Sequence, residues 1–272
     1  MVDDGYTGSV VSSSEHRGAL IAFVGLLIAT VWLFEPVLFS NGMGWDARII
    51  IGDPQTDAVR GAWGFDHLNS SLLMGQLPWD TSRLNFPTGV ELMVLPLASG
   101  MLLSILAWLD PLVAWNLSLM VLILASGTAV AWLARTMSDC WPVGLLAGLM
   151  LMGQPMVHHA LADGTAEHLA LWALPLLIGA AWIALSEQSP KWGIATGVLS
   201  IAVALDSPYQ ALYALVLGLI VLPTSVRIVN GRERDLMKAV GAMLFAGAIG
   251  VALVFYLYGR FTAGVVEEQD TA

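Results

Sequence analysis

Apolar residues gather in long runs separated by shorter polar stretches. The runs cover residues 18–39, 112–134, 142–157, 168–185, 193–205, 209–226 and 239–258. A helix rises about 1.5 Å per residue, so roughly 20 apolar residues cross a hydrocarbon core. The pattern therefore predicts an all-α fold, a polytopic transmembrane helix bundle of about seven spans. The run 142–157 is short, and is expected to tilt or to be buried among its neighbours. Residues 95–109 are apolar but shorter still, and Asp110-Pro111 stops them. That segment predicts a helix along the interface or half-inserted. The chain divides into a polar tail at 1–17, a membrane module at 18–258 whose first outer loop is 41–94, and a second tail at 259–272.

Composition supports this pattern. Of 272 residues, 57% are hydrophobic and 12% charged, against roughly 25% charged in an ordinary soluble domain. Mean hydropathy is +0.74. A net charge of -10, from 21 acidic and 11 basic residues, excludes a polyanion-binding surface and so a nucleic-acid partner. The single Cys140 allows no internal disulfide and no cysteine metal cluster. The N-terminal tail is acidic rather than basic, so the first run is expected to be a retained helix, not a signal peptide.

The basic residues set the orientation. With a cytoplasmic N-terminus, Arg17, Arg135, Lys191, Arg227, Arg232, Arg234 and Lys238 fall inside. Arg48, Arg60 and Arg83 fall in the long outer loop, where basic residues count less. This predicts a multi-pass protein of the inner (plasma) membrane. The outer face then receives the loop 41–94 and the turns 158–168 and 204–209. It collects His67, His158, His159 and His168, together with Asp46, Asp53, Asp57, Asp66, Asp80, Asp163, Glu167 and Asp206.

In the outer loop, Gly52-Asp53-Pro54 is a turn signal, and residues 55–74 have helical character, with Val59, Trp63, Leu68 and Leu72 on one apolar face. Such a helix suits the interface. Asp53 reads equally as the N-cap of that helix and as a general base at a membrane surface. Asp57 follows four residues on, and two nearby carboxylates can share a divalent cation. Trp45, Trp63 and Trp79 are the loop's candidates for stacking on a sugar. The turn holding His158, His159, Asp163, Glu167 and His168 admits three readings: a metal site, a site for phosphate or sugar hydroxyls, or solvated capping residues. On a continuous helix His159 and Asp163 would share a face, but Gly164 predicts a break. Asp206 and Ser207 read first as caps with Pro208 in the next helix's first turn. Glu35 is expected to snorkel from the end of the first span or to be functional there.

These segments together resemble the GT-C superfamily of polytopic glycosyltransferases, in its poorly characterised bacterial branch. The likeness rests on Gly52-Asp53-Pro54, Trp63, Gly75-Gln76-Leu77-Pro78 and Phe86-Pro87-Thr88-Gly89 in the first outer loop. It continues in Ala114-Trp115-Asn116-Leu117, Glu167-His168-Leu169 with Leu174-Pro175-Leu176, and Ser207-Pro208-Tyr209-Gln210-Ala211-Leu212. The resemblance covers roughly 18–258. It implies a polyprenyl-phosphate-linked sugar donor and transfer on the extracytoplasmic face. Asp53 matches the family's catalytic base, with Asp57 second. Arg60, Trp63, His158, His159, Glu167, His168 and Tyr209 become the substrate-binding candidates, with a divalent cation left open. Family members usually carry a further module that helps bind the acceptor. The shorter chain here reads as a fragment, a minimal member or an inactive relative, and leaves room for an acceptor-binding partner subunit. The competing expectation is a non-catalytic membrane module, either an assembly subunit or a transporter-like half. Span centres hold almost no charge, which argues against transport.

Overall fold

The computed structural model describes residues 13–35, 50–76, 78, 80–81, 90–91 and 96–226, with single positions at 240, 241, 248, 252 and 256. These residues are overwhelmingly helical. In chain order the helices are α1 (Ser13–Leu33), α2 (Asp57–Leu73), α3 (Leu97–Leu103), α4 (Pro111–Ser138), α5 (Trp141–Met152), α6 (Pro155–Asp163), α7 (Ala166–Leu169), α8 (Ala173–Ser186), α9 (Pro190–Asp206) and α10 (Pro208–Val226). A 3-10 turn, Ser104–Leu106, extends α3. Two short strands, β1 (Asp80–Thr81) and β2 (Val90–Glu91), pair antiparallel, with Asp80 opposite Glu91.

The helix ends follow from local sequence. Proline stands in the first turn of α4, α5, α6 and α9, where its missing N–H costs nothing. Asp110 caps α4 by accepting from the Leu112 amide at 3.0 Å. Asp139 closes α4 in the left-handed region, at φ 55, its amide bonded to the Arg135 carbonyl at 2.7 Å. Arg135 also pairs with Glu15, which ties the Ser138 end of α4 to the start of α1.

Among the described residues, three helical stretches are long and apolar enough to cross a membrane: Ser14–Leu33, Pro111–Ser138 and Ala166–Ser186. The pair α5 and α6 makes a fourth if it is one span, bent by 44°. These stretches mark a membrane protein. The expected runs 193–205 and 209–226 fall in α9, of 17 residues, and α10, of 19 residues. The run 239–258 lies almost wholly outside the described residues. Of the expected segment 95–109, the described residues 96–109 hold the short apolar helix Leu97–Leu106, which packs on α2 and α9.

Helix α4 is the axis of the fold. It packs on α5, α8, α1 and α2, and its Trp115, Leu119, Leu122 and Ile123 join Leu26, Phe65, Met152 and Leu169 in the main core. Apolar helices in lipid gain little from hydrophobicity against one another, so close packing must hold them. Glycines supply it. A Cβ on Gly144 would lie 2.6 Å from the Ala131 carbonyl oxygen, and one on Gly148 would lie 2.7 Å from that of Gly127. Gly179 of α8 likewise leaves room for the Trp132 ring. Replacing Gly148 with Leu is expected to push α5 off α4 and destabilise the protein by about 1–3 kcal/mol. Apparent melting temperature in detergent measures this, and an unchanged value would contradict the α4–α5 contact.

Candidate functional site

The residues ahead of α2 are fastened to α4 by polar side chains. The Ile51 amide donates to Asn116 Oδ1 at 2.9 Å, and Trp115 Nε1 reaches the Ile51 carbonyl at 3.5 Å. Both side chains come from the second turn of α4. Gly52 follows at φ +104, a conformation that favours glycine.

The Asp53 loop then meets the end of α6. The Asp53 amide donates to the Ala162 carbonyl at 2.7 Å. The Thr56 hydroxyl lies 2.8 Å from both the Asp53 and Asp163 carbonyls, so its one proton is shared between them. Gly164 ends α6 at φ +73. A Cβ on Gly52 would come within 2.7 Å of the Gly164 backbone, and one on Gly164 within 2.5 Å of Ala58. Ala58, at the start of α2, is fully buried in this contact. Two glycines and an alanine thus let the loop 50–56 and the histidine turn meet backbone to backbone.

Asp53 does not cap α2. Thr56 holds the N-cap position, and Asp53 Oδ1 instead accepts from the Gln55 amide at 2.8 Å. That is an Asx-turn of the kind Asp favours before a helix. Asp53 is exposed, which leaves its second carboxylate oxygen open to the surface. Asp57, half-buried, pairs with the exposed Arg60 at 2.8 Å, one turn on. Trp63 stacks on His67, with ring centroids 5.4 Å apart and planes 3° apart.

His158 and His159 are exposed on α6. His159 Nε2 lies 3.2 Å from Asp163 Oδ2, the i,i+4 pairing of one helix face. Gly164 breaks the helix there, so Glu167 lies beyond the break on α7. Glu167 is half-buried and His168 exposed. Tyr209 is 64% exposed at the start of α10. The structure therefore brings the Asp53 loop directly onto the His158–Asp163 turn, with Asp57 and Arg60 following on α2. Arg83, Asp46, Trp45, Trp79 and the segment 86–89 lie outside the described residues. Among the described residues, no three His, Cys, Asp or Glu side chains gather closely enough to hold a metal ion.

Below this surface the backbone leaves helical geometry at residues 170–172, between α7 and α8. Ser126 of α4 meets the break. Its hydroxyl donates to the Leu169 carbonyl at 2.9 Å and accepts from the Leu171 amide at 3.0 Å. Gln210 of α10 donates to the Glu167 and Ala170 carbonyls at 3.0 and 3.2 Å.

A buried network fixes α3. Ser99 donates its amide and its hydroxyl to Asp206, at 2.7 and 2.6 Å, and accepts from Trp172 Nε1 at 2.8 Å. Asp206 is 0% exposed. It is therefore neither a surface residue nor a helix cap, and Trp172 joins the same network through its indole N–H. Sequence reasoning singled out none of Ser99, Asn116, Ser126 and Gln210 by itself. The available signal was polar side chains inside or beside apolar runs, where an unpaired polar group is costly. His67, read from the sequence as one of the outer-face histidines, is buried instead. It is 6% exposed, and its Nε2 has no hydrogen-bond partner.

Asp206→Ala removes the acceptor of two buried donors and is expected to cost about 1–3 kcal/mol. Ser99→Ala should add much less in that background than in the unaltered protein, and a double-mutant cycle in detergent reads the coupling. Additive losses would show that the two side chains do not interact. No family model matches the chain, no curated protein matches its sequence, and no solved structure matches its fold.

Proposed function

We propose that this is a glycosyltransferase-like protein of the GT-C kind. In this reading it sits in the inner membrane with about seven spans, its N-terminus is cytoplasmic, and it transfers a sugar from a polyprenyl-phosphate donor on the extracytoplasmic face. The observation that carries the reading is the backbone contact between the Asp53 loop and the histidine turn, through the 2.7 Å bond from the Asp53 amide to Ala162. It joins a carboxylate with one open oxygen to a surface carrying His158, His159 and, beside Asp57, Arg60.

The chemistry follows from those groups. Asp53 takes the proton of an acceptor hydroxyl as that oxygen bonds to the sugar's anomeric carbon. The bond from that carbon to the phosphate oxygen breaks, and the electron pair leaves with the lipid phosphate. Charge therefore grows on the phosphate, and cationic side chains stabilise it best when they are already in place. Arg60 and His168, with His158 or His159, are the groups assigned to it. Trp63, Glu167 and Tyr209 are assigned to the sugar and its surroundings. A non-catalytic module would need no open carboxylate at this contact.

The test uses protein reconstituted in vesicles with a polyprenyl-phosphate sugar. Removing a general base typically costs a factor of about 10²–10⁴, so Asp53→Asn should lose that much transfer, and Asp57→Asn should lose less. Unimpaired transfer by Asp53→Asn would remove Asp53 as the base. No transfer by the unaltered protein to any offered acceptor would favour the non-catalytic module.

A further inference from the structure

Between α1, α4 and α8 lies a groove of about 480 Å³, within the roughly 300–1,000 Å³ of small-molecule sites. Its lining includes Phe23, Ala125, Thr128, Ala129, Trp132 and Trp172. Two of its polar groups are already engaged. The Thr128 hydroxyl donates to the Leu124 carbonyl at 2.7 Å, and Trp172 Nε1 donates to Ser99 at 2.8 Å.

Helices α1 and α4, and the stretch Ala166–Ser186 that contains α8, are each long and apolar enough to cross a membrane. In a bilayer a groove between such helices faces hydrocarbon, and a lipid chain is the apolar occupant at hand. Depth narrows the choice. At about 1.5 Å per residue, Val121 lies roughly 15 Å along α4 from Pro111, and Trp132 roughly 31 Å. The groove thus occupies the middle of α4 and its Ser138 half, away from the end that carries the Asp53 loop.

Charge narrows it further. Trp132 stacks on Trp192, with centroids 6.3 Å apart, and Lys191 is the next residue. Arg17 stands on α1, less than two turns before Phe23. Both cations are exposed, and neither makes an ion pair among the described residues. At that end Arg135 already engages Glu15 and Asp139. A pair of free cations beside an apolar groove suits an anionic lipid headgroup.

We propose that this groove binds one acyl chain of an anionic phospholipid from the leaflet at the Ser138 end of α4, with Arg17 and Lys191 meeting its headgroup. The site is separate from the one assigned to sugar transfer and does not rest on that assignment.

The test places the full chain in nanodiscs containing phosphatidylglycerol with a photoactivatable diazirine on its acyl chain. Cross-links should concentrate on Phe23 and on α4 between Val121 and Trp132. Ala129→Phe, which fills the groove, should reduce them severalfold, while Val198→Phe on the exposed face of α9 should not. Arg17→Gln with Lys191→Gln should lower retention of phosphatidylglycerol, but not of phosphatidylcholine, in native mass spectrometry. Labelling of the unaltered protein spread evenly over the groove and the exposed Leu212 and Val216 of α10 would overturn the proposal. So would labelling of the groove by a diazirine-bearing isoprenoid phosphate but not by the phospholipid.

Discussion

A backbone that leaves helical geometry inside an apolar body must find partners for its amides and carbonyls. Much of this structure answers that requirement. Water cannot serve in hydrocarbon, and an unsatisfied peptide group costs several kcal/mol there. Helix α4 supplies two of the answers from one side of the molecule. Asn116 takes the Ile51 amide, and Ser126 engages both the Leu169 carbonyl and the Leu171 amide. Gln210 supplies a third from α10. Without these side chains, the loop before α2 and the break before α8 could not lie against α4, and the surface they form would come apart.

The surface itself is made by subtraction. Gly52, Ala58 and Gly164 have no side chain, or almost none, where two chain segments meet, and the hydrogen bonds between them run largely through backbone atoms. The polar side chains of the region are thereby turned outward: Asp53, Arg60, His158, His159 and His168 are all exposed. Asp206 shows the opposite arrangement. It is wholly buried and spends both carboxylate oxygens on Ser99. Of two aspartates read from sequence at the same membrane face, one is buried in the scaffold and the other lies at the surface.

The sequence revealed elements more readily than their partners. Asp110-Pro111 marks the start of α4 in plain terms, because a capping carboxylate and an N-terminal proline act within one turn. The end of α4 runs to Ser138, past the apolar run at 134, because Arg135 finds Glu15 from a distant part of the chain. The break at 170–172 was not legible, since the hydroxyl that makes it tolerable stands on another helix. Gly52 and Gly164 each announced a turn, yet nothing local told that the two turns would touch. The Asp53 N-cap reading failed by a few residues, because the Asx-turn and Thr56 together set the helix start later.

The meeting of the two glycine turns has a consequence for how such a surface can change. A contact made by main chain places few demands on the identity of the side chains it presents. Aspartate, arginine and histidine at its rim can be exchanged for other groups while the spacing between the two segments persists. The junction works as a frame with replaceable fittings, so diversity at positions 158, 159 and 60 is compatible with one fixed geometry, whereas positions 52, 58 and 164 admit almost none.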